Sequence, residues 1–301
     1  MKYAAILFLI FGMVFYGSAT PVSKIVGSEF PALAAAGARV LLAGLVLLPF
    51  ALWKEKRLFF LCKRDWLLIG AVALMGNVGF SAFMLYGMKR ISGVMGSIIM
   101  SLTPAVTAFG AVVFLKETMT TRKIGALALG VAGVAVMHLG SGGEGSGGEN
   151  SQIWLGSLLV FLAICCEAAY TLLGKKATDD ITPLTLTTLS ALLAGIMLLP
   201  WIISSYSDIS FSQVNWKDWS ALAWWGIGTM ALGSLFWYSG LAEMPGHIAA
   251  GFMVIMPISA LLLSYVLLGE NFEWIHVLGF GLAFASVSVM TLEHYKHAKK
   301  D

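Results

Sequence analysis

The chain has 301 residues, of which 58% are hydrophobic and 12% charged, and its mean hydropathy is +0.85. A soluble domain carries roughly 25% charged residues, so this composition excludes a large water-exposed globular fold and describes a polytopic membrane protein. The net charge of +3 lies in loops where membrane orientation accounts for it, which argues against a nucleic-acid partner. Cys62, Cys165 and Cys166 provide neither a disulfide framework nor a zinc spacing.

The first stretch, MKYAAILFLIFGMVFYGSAT, has the basic start, apolar middle and small residues of either a cleaved leader or a first span. The internal repeat described below needs it in the mature protein, so we read it as a span. A helix crossing the ~30 Å hydrocarbon layer needs about 20 apolar residues. Ten stretches qualify: 3–25, 31–53, 66–88, 93–115, 121–140, 152–174, 183–203, 219–241, 246–268 and 274–292. GSGGEGSGGEN at 140–150 has the composition of a flexible linker. The expected organisation is therefore a five-helix unit over 1–140, a linker over 141–150, a second five-helix unit over 151–293 and a tail over 294–301. With both termini in the cytoplasm, fourteen Lys and Arg fall in inside segments and four outside, which favours that orientation. Trp53, Trp66, Trp154, Trp201, Trp219 and Trp274 fall near span ends, where an amphipathic ring prefers to lie.

A shift of 153 residues aligns Trp66–Met137 with Trp219–Met290 without a gap, matching Trp66 to Trp219, Pro104 to Pro257 and Glu117 to Glu270. Nearer the N-terminus a shift of 151 matches AGLVLLP at 43–49 to AGIMLLP at 194–200, Thr20 to Thr171 and Lys24 to Lys175. Five spans is an odd number, so the second copy enters the membrane from the opposite side. Such inverted repeats are typical of secondary transporters, which hold their solute near the midplane where the copies meet. The expectation is an all-α membrane protein of ten helices in two inverted five-helix repeats around a central cavity.

FYGSATPVSK (15–24), the Arg39–Ala43 run, SLTP (101–104), FLKE (114–117) and its counterpart LLGE (267–270) resemble the drug/metabolite transporter superfamily. The resemblance is to ten-span exporters built from two EamA-type domains, and it covers nearly the whole chain. It implies cytoplasmic termini, location in the cell membrane, and export of small metabolites or drugs. The family often has Trp where Tyr16 stands, a departure that alters the expected cavity wall.

Glu167 is the one acid expected inside a span. A charge at a helix centre costs about 2.5–3.5 kcal/mol on insertion scales, and such residues usually face a cavity or a partner. It is read either as a cavity carboxylate that binds a solute amine or carries a proton, or as a structural group in an ion pair or hydrogen bond with Arg39, Lys24 or a backbone donor. Arg39 could clamp a solute carboxylate or hold the repeat interface. Pro104 and Pro257 are expected at the middles of the fourth and ninth spans, either as simple packing kinks or as breaks that free carbonyls one turn earlier towards a cavity. Ser97, Ser101, Thr103 and Thr107 surround Pro104 with hydroxyls. Asn77 is read as interhelical glue or a cavity ligand. Tyr86 and Tyr238, with Phe83, Phe236 and Trp237, form either an interfacial belt or a cavity lining. Gly125, Gly130, Gly133, Gly279 and Gly281 suggest close helix packing.

These residues point to a secondary exporter of small polar or amphipathic solutes, such as amino-acid-like compounds or drugs, with protons as the candidate coupling ion. An importer or exchanger of the same fold, for example a sugar or nucleotide-sugar carrier, is the alternative. The sequence contains neither an H-E-x-x-H pair nor a phosphate-binding P-loop, so it is expected to be neither an enzyme nor ATP-driven, and no cofactor or metal is expected.

Overall fold

The computed structural model describes residues 2–26, 30–55, 58–88, 90, 99–100, 102–116, 121–139, 150–209, 214–268, 281–282, 285 and 289. Among them there is helix and no strand, as expected where lipid leaves every backbone group to find its partner within the chain. The elements are α1 (Lys2–Gly17), α2 (Ala19–Val26), α3 (Ala32–Lys54), α4 (Lys63–Ala73), α5 (Phe80–Met88), α6 (Thr103–Leu115) and α7 (Thr121–Leu139). They continue with α8 (Asn150–Ala177), α9 (Pro183–Ser204), α10 (Trp216–Trp224), α11 (Gly233–Glu243), α12 (Gly246–Phe252) and α13 (Ile255–Leu268).

Five helical runs are long and apolar enough to cross a membrane: Tyr3–Ser23, Leu33–Lys54, Lys63–Met88, Gln152–Ala177 and Pro183–Ser204. Large apolar side chains stand exposed on these runs, such as Phe50, Leu67 and Ile203, and on α6 and α13, such as Phe109, Phe114 and Val266, a pattern suited to lipid and costly in water. The linker 141–149, Glu117, Glu270 and most of the expected tenth span lie outside the described residues.

Local chemistry sets the element ends. The Thr182 hydroxyl accepts from Thr185 N at 3.2 Å and Pro183 opens α9, a cap followed by a pre-set φ. Asn215 and Asp218 form a capping box at the start of α10. Two π-helical segments interrupt long helices: Leu74–Gly79 between α4 and α5, and Trp225–Leu232 between α10 and α11. Such widened turns often mark functional positions. Under the 153-residue shift the first segment falls on 227–232, within the second.

The expected mid-span prolines are not kinks in continuous helices. The ninth stretch breaks at Met253–Val254 and restarts as α13, with Pro257 its third residue. In the fourth, helix at Ile99–Met100 gives way to a turn at Leu102, and α6 begins with Pro104 in its first turn. Proline is tolerated there because the first-turn N–H groups lack intrahelical acceptors anyway. The freed carbonyls find partners. Met100 O accepts the Thr103 hydroxyl at 2.8 Å, and Met253 O accepts Met256 N at 3.1 Å.

Packing partners come in pairs that the repeat shifts interchange. α1 lies on α11 as α8 lies on α5, and α1 lies on α13 as α8 lies on α6; α3 meets α9, and α6 meets α12. Leu9, Tyr170, Trp237, Tyr238, Leu241 and Phe252 belong to one buried core, which draws on residues from both halves. Among the described residues a Cβ built at Gly125 or Gly281 meets nothing within 4 Å, so the close packing expected at these two positions is not formed there. Close approach falls instead at Gly76 and Gly174, where a Cβ would run into the Tyr170 and Tyr238 rings.

Candidate functional site

Three hydroxyls meet where α1, α8 and α11 converge. Tyr16 Oη donates to Ser234 Oγ at 2.8 Å, Tyr170 Oη donates to the same oxygen at 3.2 Å, and the two tyrosine hydroxyls stand 3.1 Å apart. Tyr238 stacks obliquely on Tyr170 with ring centroids 5.1 Å apart and donates from its hydroxyl to the Tyr170 carbonyl at 3.4 Å. Gly76 and Gly174 make room for these rings, and Ser234, Trp237 and Tyr238 are buried. The cluster draws Tyr16 from the first half of the chain and Tyr170, Ser234 and Tyr238 from the second.

Two charged groups border it. Arg39, on α3, places its guanidinium carbon 4.6 Å from the Trp225 ring centroid, a cation–π contact. Its Nε and the Trp225 Nε1 are both buried without an acceptor. Arg39 is close enough to Tyr16 and Tyr170 to act on both electrostatically. Glu167 lies one turn before Tyr170 on α8; its carboxyl lies near the Thr103 hydroxyl, which donates to the Met100 carbonyl, while Oε2 is buried and without a partner. Glu167 also acts on Tyr16. No ion pair joins Glu167 to Arg39, so the structural pairing expected between them is not formed among the described residues. The Lys24 side chain lies outside those residues.

Asn77 sits in the first π segment, 1% exposed, with Nδ2 lacking an acceptor. Trp237 and Tyr238 are core residues, so the interfacial-belt reading fails for both. Tyr86 is half-exposed near the end of α5, where its carbonyl accepts from Arg90 at 2.6 Å. Pro104 is buried at the start of α6. Ser97, Ser101 and the Pro257 side chain lie outside the described residues. Lys175 donates to the Ala242 carbonyl at 3.0 Å, a cationic group at the last turn of α11.

Sequence reasoning missed Tyr170, Ser234 and Trp225. Tyr170 had one available signal, its i+3 spacing from Glu167 on a common helix face. Ser234 and Trp225 had none, because their partners are distant in the chain.

The buried acceptors and donors left unpartnered, Glu167 Oε2 on one side and the Arg39 and Trp225 N–H groups on the other, are poles that a polar solute can complete. A family model described as the EamA-like transporter family matches residues 3–139 and 154–292. A Bacillus subtilis (strain 168) protein, "Uncharacterized transporter YetK", is 27% identical over 281 residues, spanning 93% of this chain and 84% of its own. A Chlamydia trachomatis serovar L2 protein, "S-adenosylmethionine/S-adenosylhomocysteine transporter", is 28% identical over 283 residues, spanning 88% of this chain and 83% of its own. One solved crystal structure superposes with a TM-score of 0.83 over 98% of this chain and 99% of its own; at 14% identity that likeness concerns the fold alone.

Proposed function

Because the chain belongs to the EamA-like transporter family, a family of transporters and not of enzymes, we propose that it exports small polar or amphipathic solutes by alternating access. In this reading ten helices, as two inverted five-helix repeats, enclose a central cavity in the cell membrane, and both termini are cytoplasmic. The observation that carries it is the Tyr16–Tyr170–Ser234 cluster with Glu167 beside it, built from both halves of the chain at a place where each half also breaks a helix. Broken helices at a repeat interface are the usual setting of a transported solute. The interchangeable packing pairs support the repeat reading. Tyr170, Tyr238 and Trp225 suit a solute with an apolar or aromatic body, Glu167 a cationic group and Arg39 an anionic one.

The relative whose printed name pairs two related solutes supports a second reading, in which the chain exchanges one such compound for another. Both readings meet one experiment. The chain is reconstituted in vesicles and flux of labelled S-adenosylmethionine and of a panel of amino-acid-like compounds and drugs is followed in each direction. Saturable flux above empty vesicles supports transport, and stimulation by unlabelled solute on the far side favours exchange. A full panel with no flux above empty vesicles overturns the reading. Orientation has its own test: Cys62, exposed at the start of α4, should react with an impermeant thiol reagent only from the cytoplasmic side.

A further inference from the structure

Thr103 and Thr107 lie one turn apart on α6, and Glu167 and Thr171 lie one turn apart on α8, so each pair shares a helix face. The two helices pack together. Thr103 meets Glu167 at one level, and further along both helices Gly110 admits the Leu172 Cδ1, which a built Cβ would approach to 2.5 Å. Both contacts advance in the same chain direction, so Thr107 and Thr171 come level with one another between them. Both threonines are 0% exposed, yet neither hydroxyl has a hydrogen-bond partner, and Glu167 Oε2 has none either. Three unpartnered buried oxygens on the facing sides of two packed helices are an expensive arrangement unless something fills it.

We infer that this notch between α6 and α8 binds a single small monovalent cation of sodium size, held by the Glu167 carboxylate and the hydroxyls of Thr103, Thr107 and Thr171. The charge balance selects a monovalent ion: one carboxylate faces the notch, no ion pair neutralises it among the described residues, and no group of three His, Cys, Asp or Glu side chains gathers there. The ligand type selects a hard cation, since every donor is oxygen. The helix break just before Thr103 adds the Met100 carbonyl to the neighbourhood, and interrupted helices are where transporters coordinate such ions. A proton on Glu167 would neutralise the carboxylate but leave Thr107 and Thr171 unpartnered. The two threonines are what distinguish the cation from the proton.

The inference rests on the proposed function and places an inorganic cation, in place of a cationic group of the solute, on Glu167, but its test needs no solute. Thermal unfolding of the full chain in lipid nanodiscs is followed as sodium chloride replaces choline chloride at constant ionic strength. Sodium should raise the midpoint saturably by about 3–6 °C, and potassium should not. In the Thr107→Val/Thr171→Val protein, which keeps the side-chain shapes, the choline midpoint should hold while half-saturation shifts to at least about tenfold more sodium. Thr171→Ser keeps the oxygen and should keep the response. Glu167→Gln should abolish it, which gives the same readout if the double variant does not fold. Equal stabilisation by sodium and potassium, stabilisation that follows pH alone, or an unchanged sodium response in the valine protein overturns the site. Solute flux without a sodium response sinks the ion site and spares the transporter reading; a sodium response without flux of any solute does the reverse.

Discussion

The α6–α8 contact and the α1–α13 contact each join the two halves of the chain and are interchanged by the sequence shifts, yet they are chemically opposite. Under the 151-residue shift Glu167 falls on Tyr16 and Thr171 on Thr20, and under the 153-residue shift Thr103 and Thr107 fall on Met256 and Ala260. The α1–α13 contact is closed. Ser259 donates within reach of the Met13, Ile255 and Met256 carbonyls at 3.3, 2.9 and 2.9 Å, and Gly17 lets the two backbones approach around it. The α6–α8 contact instead leaves Glu167, Thr107 and Thr171 oxygens buried and unpartnered. The two contacts therefore carry different burdens. One is finished as structure, and the other is left incomplete at the cost of several hydrogen bonds, which is where a ligand belongs.

The strongest way to break this comparison is to neutralise Glu167. Glu167→Gln keeps the shape and the Thr103 contact but removes the charge, whose hydrogen bonds are worth about 1.5–3 kcal/mol. Gradient-driven flux should fall by about tenfold to a hundredfold while the protein inserts and folds as before. At Tyr16, which the 151-residue shift pairs with Glu167, Tyr16→Phe removes a neutral hydroxyl bond and should lower flux by less than about tenfold. Vesicle flux, normalised to folded protein, checks both. Equal losses would erase the distinction between the two contacts.

Stability measures the other side. At Gly17 a Cβ would run into Ser259 Oγ and come within 2.6 Å of the Met256 carbonyl and 2.9 Å of Ala260 N, both backbone atoms. Gly17→Ala should therefore cost about 1–3 kcal/mol, as overpacking against a backbone does. At Gly110 the obstacle is the end of the flexible Leu172 side chain at 2.5 Å. A rotamer change relieves it, so Gly110→Ala should cost under about 1 kcal/mol. Thermal unfolding of the two variants side by side tests the difference, and Gly125→Ala, whose Cβ meets nothing within 4 Å, serves as the blank.

How much of this was legible in the sequence follows from the range of each signal. Apolar runs set helix positions to within a few residues, as with 66–88 against Lys63–Met88 and 183–203 against Pro183–Ser204. Glu167 and Arg39 were visible because a charge in an apolar run is conspicuous. Their partners were not. Arg39 rests on Trp225, and Tyr16 meets Ser234, 218 residues away, through contacts that no local spacing encodes. The helix break at Met253–Val254 and the widened turns of the two π segments were equally silent, since hydropathy is blind to which carbonyl an N–H chooses; Asn77 stood out in the first segment as a polar residue, not as a mark of a π turn. The prolines did carry a signal, a disturbed backbone at mid-span, but not its form: Pro104 opens a helix instead of interrupting one. Thr103 and Thr107 were noticed for their nearness to Pro104; what singles out Thr107, the missing partner of its hydroxyl, exists only after α8 has packed against it.

The smallest expected effect is the most specific. Replacing one member of a satisfied buried hydrogen bond usually costs about 1–3 kcal/mol, because the remaining partner is stranded. Ser259→Ala should stay near the bottom of that range, about 1 kcal/mol, since the Ile255 and Met256 carbonyls it serves keep their helical partners. Thr107→Val is different in kind. Its hydroxyl has no partner to strand, the side chain is 0% exposed, and valine preserves its branched shape. Without sodium, the substitution removes a buried polar group that nothing satisfies, so it should leave the unfolding midpoint unchanged or raise it, a change of at most about 1 kcal/mol in the stabilising direction. A loss of about 2 kcal/mol in sodium-free buffer would mean that Thr107 already has a protein or water partner there. The asymmetry between the two helix contacts would then disappear at its most sensitive point.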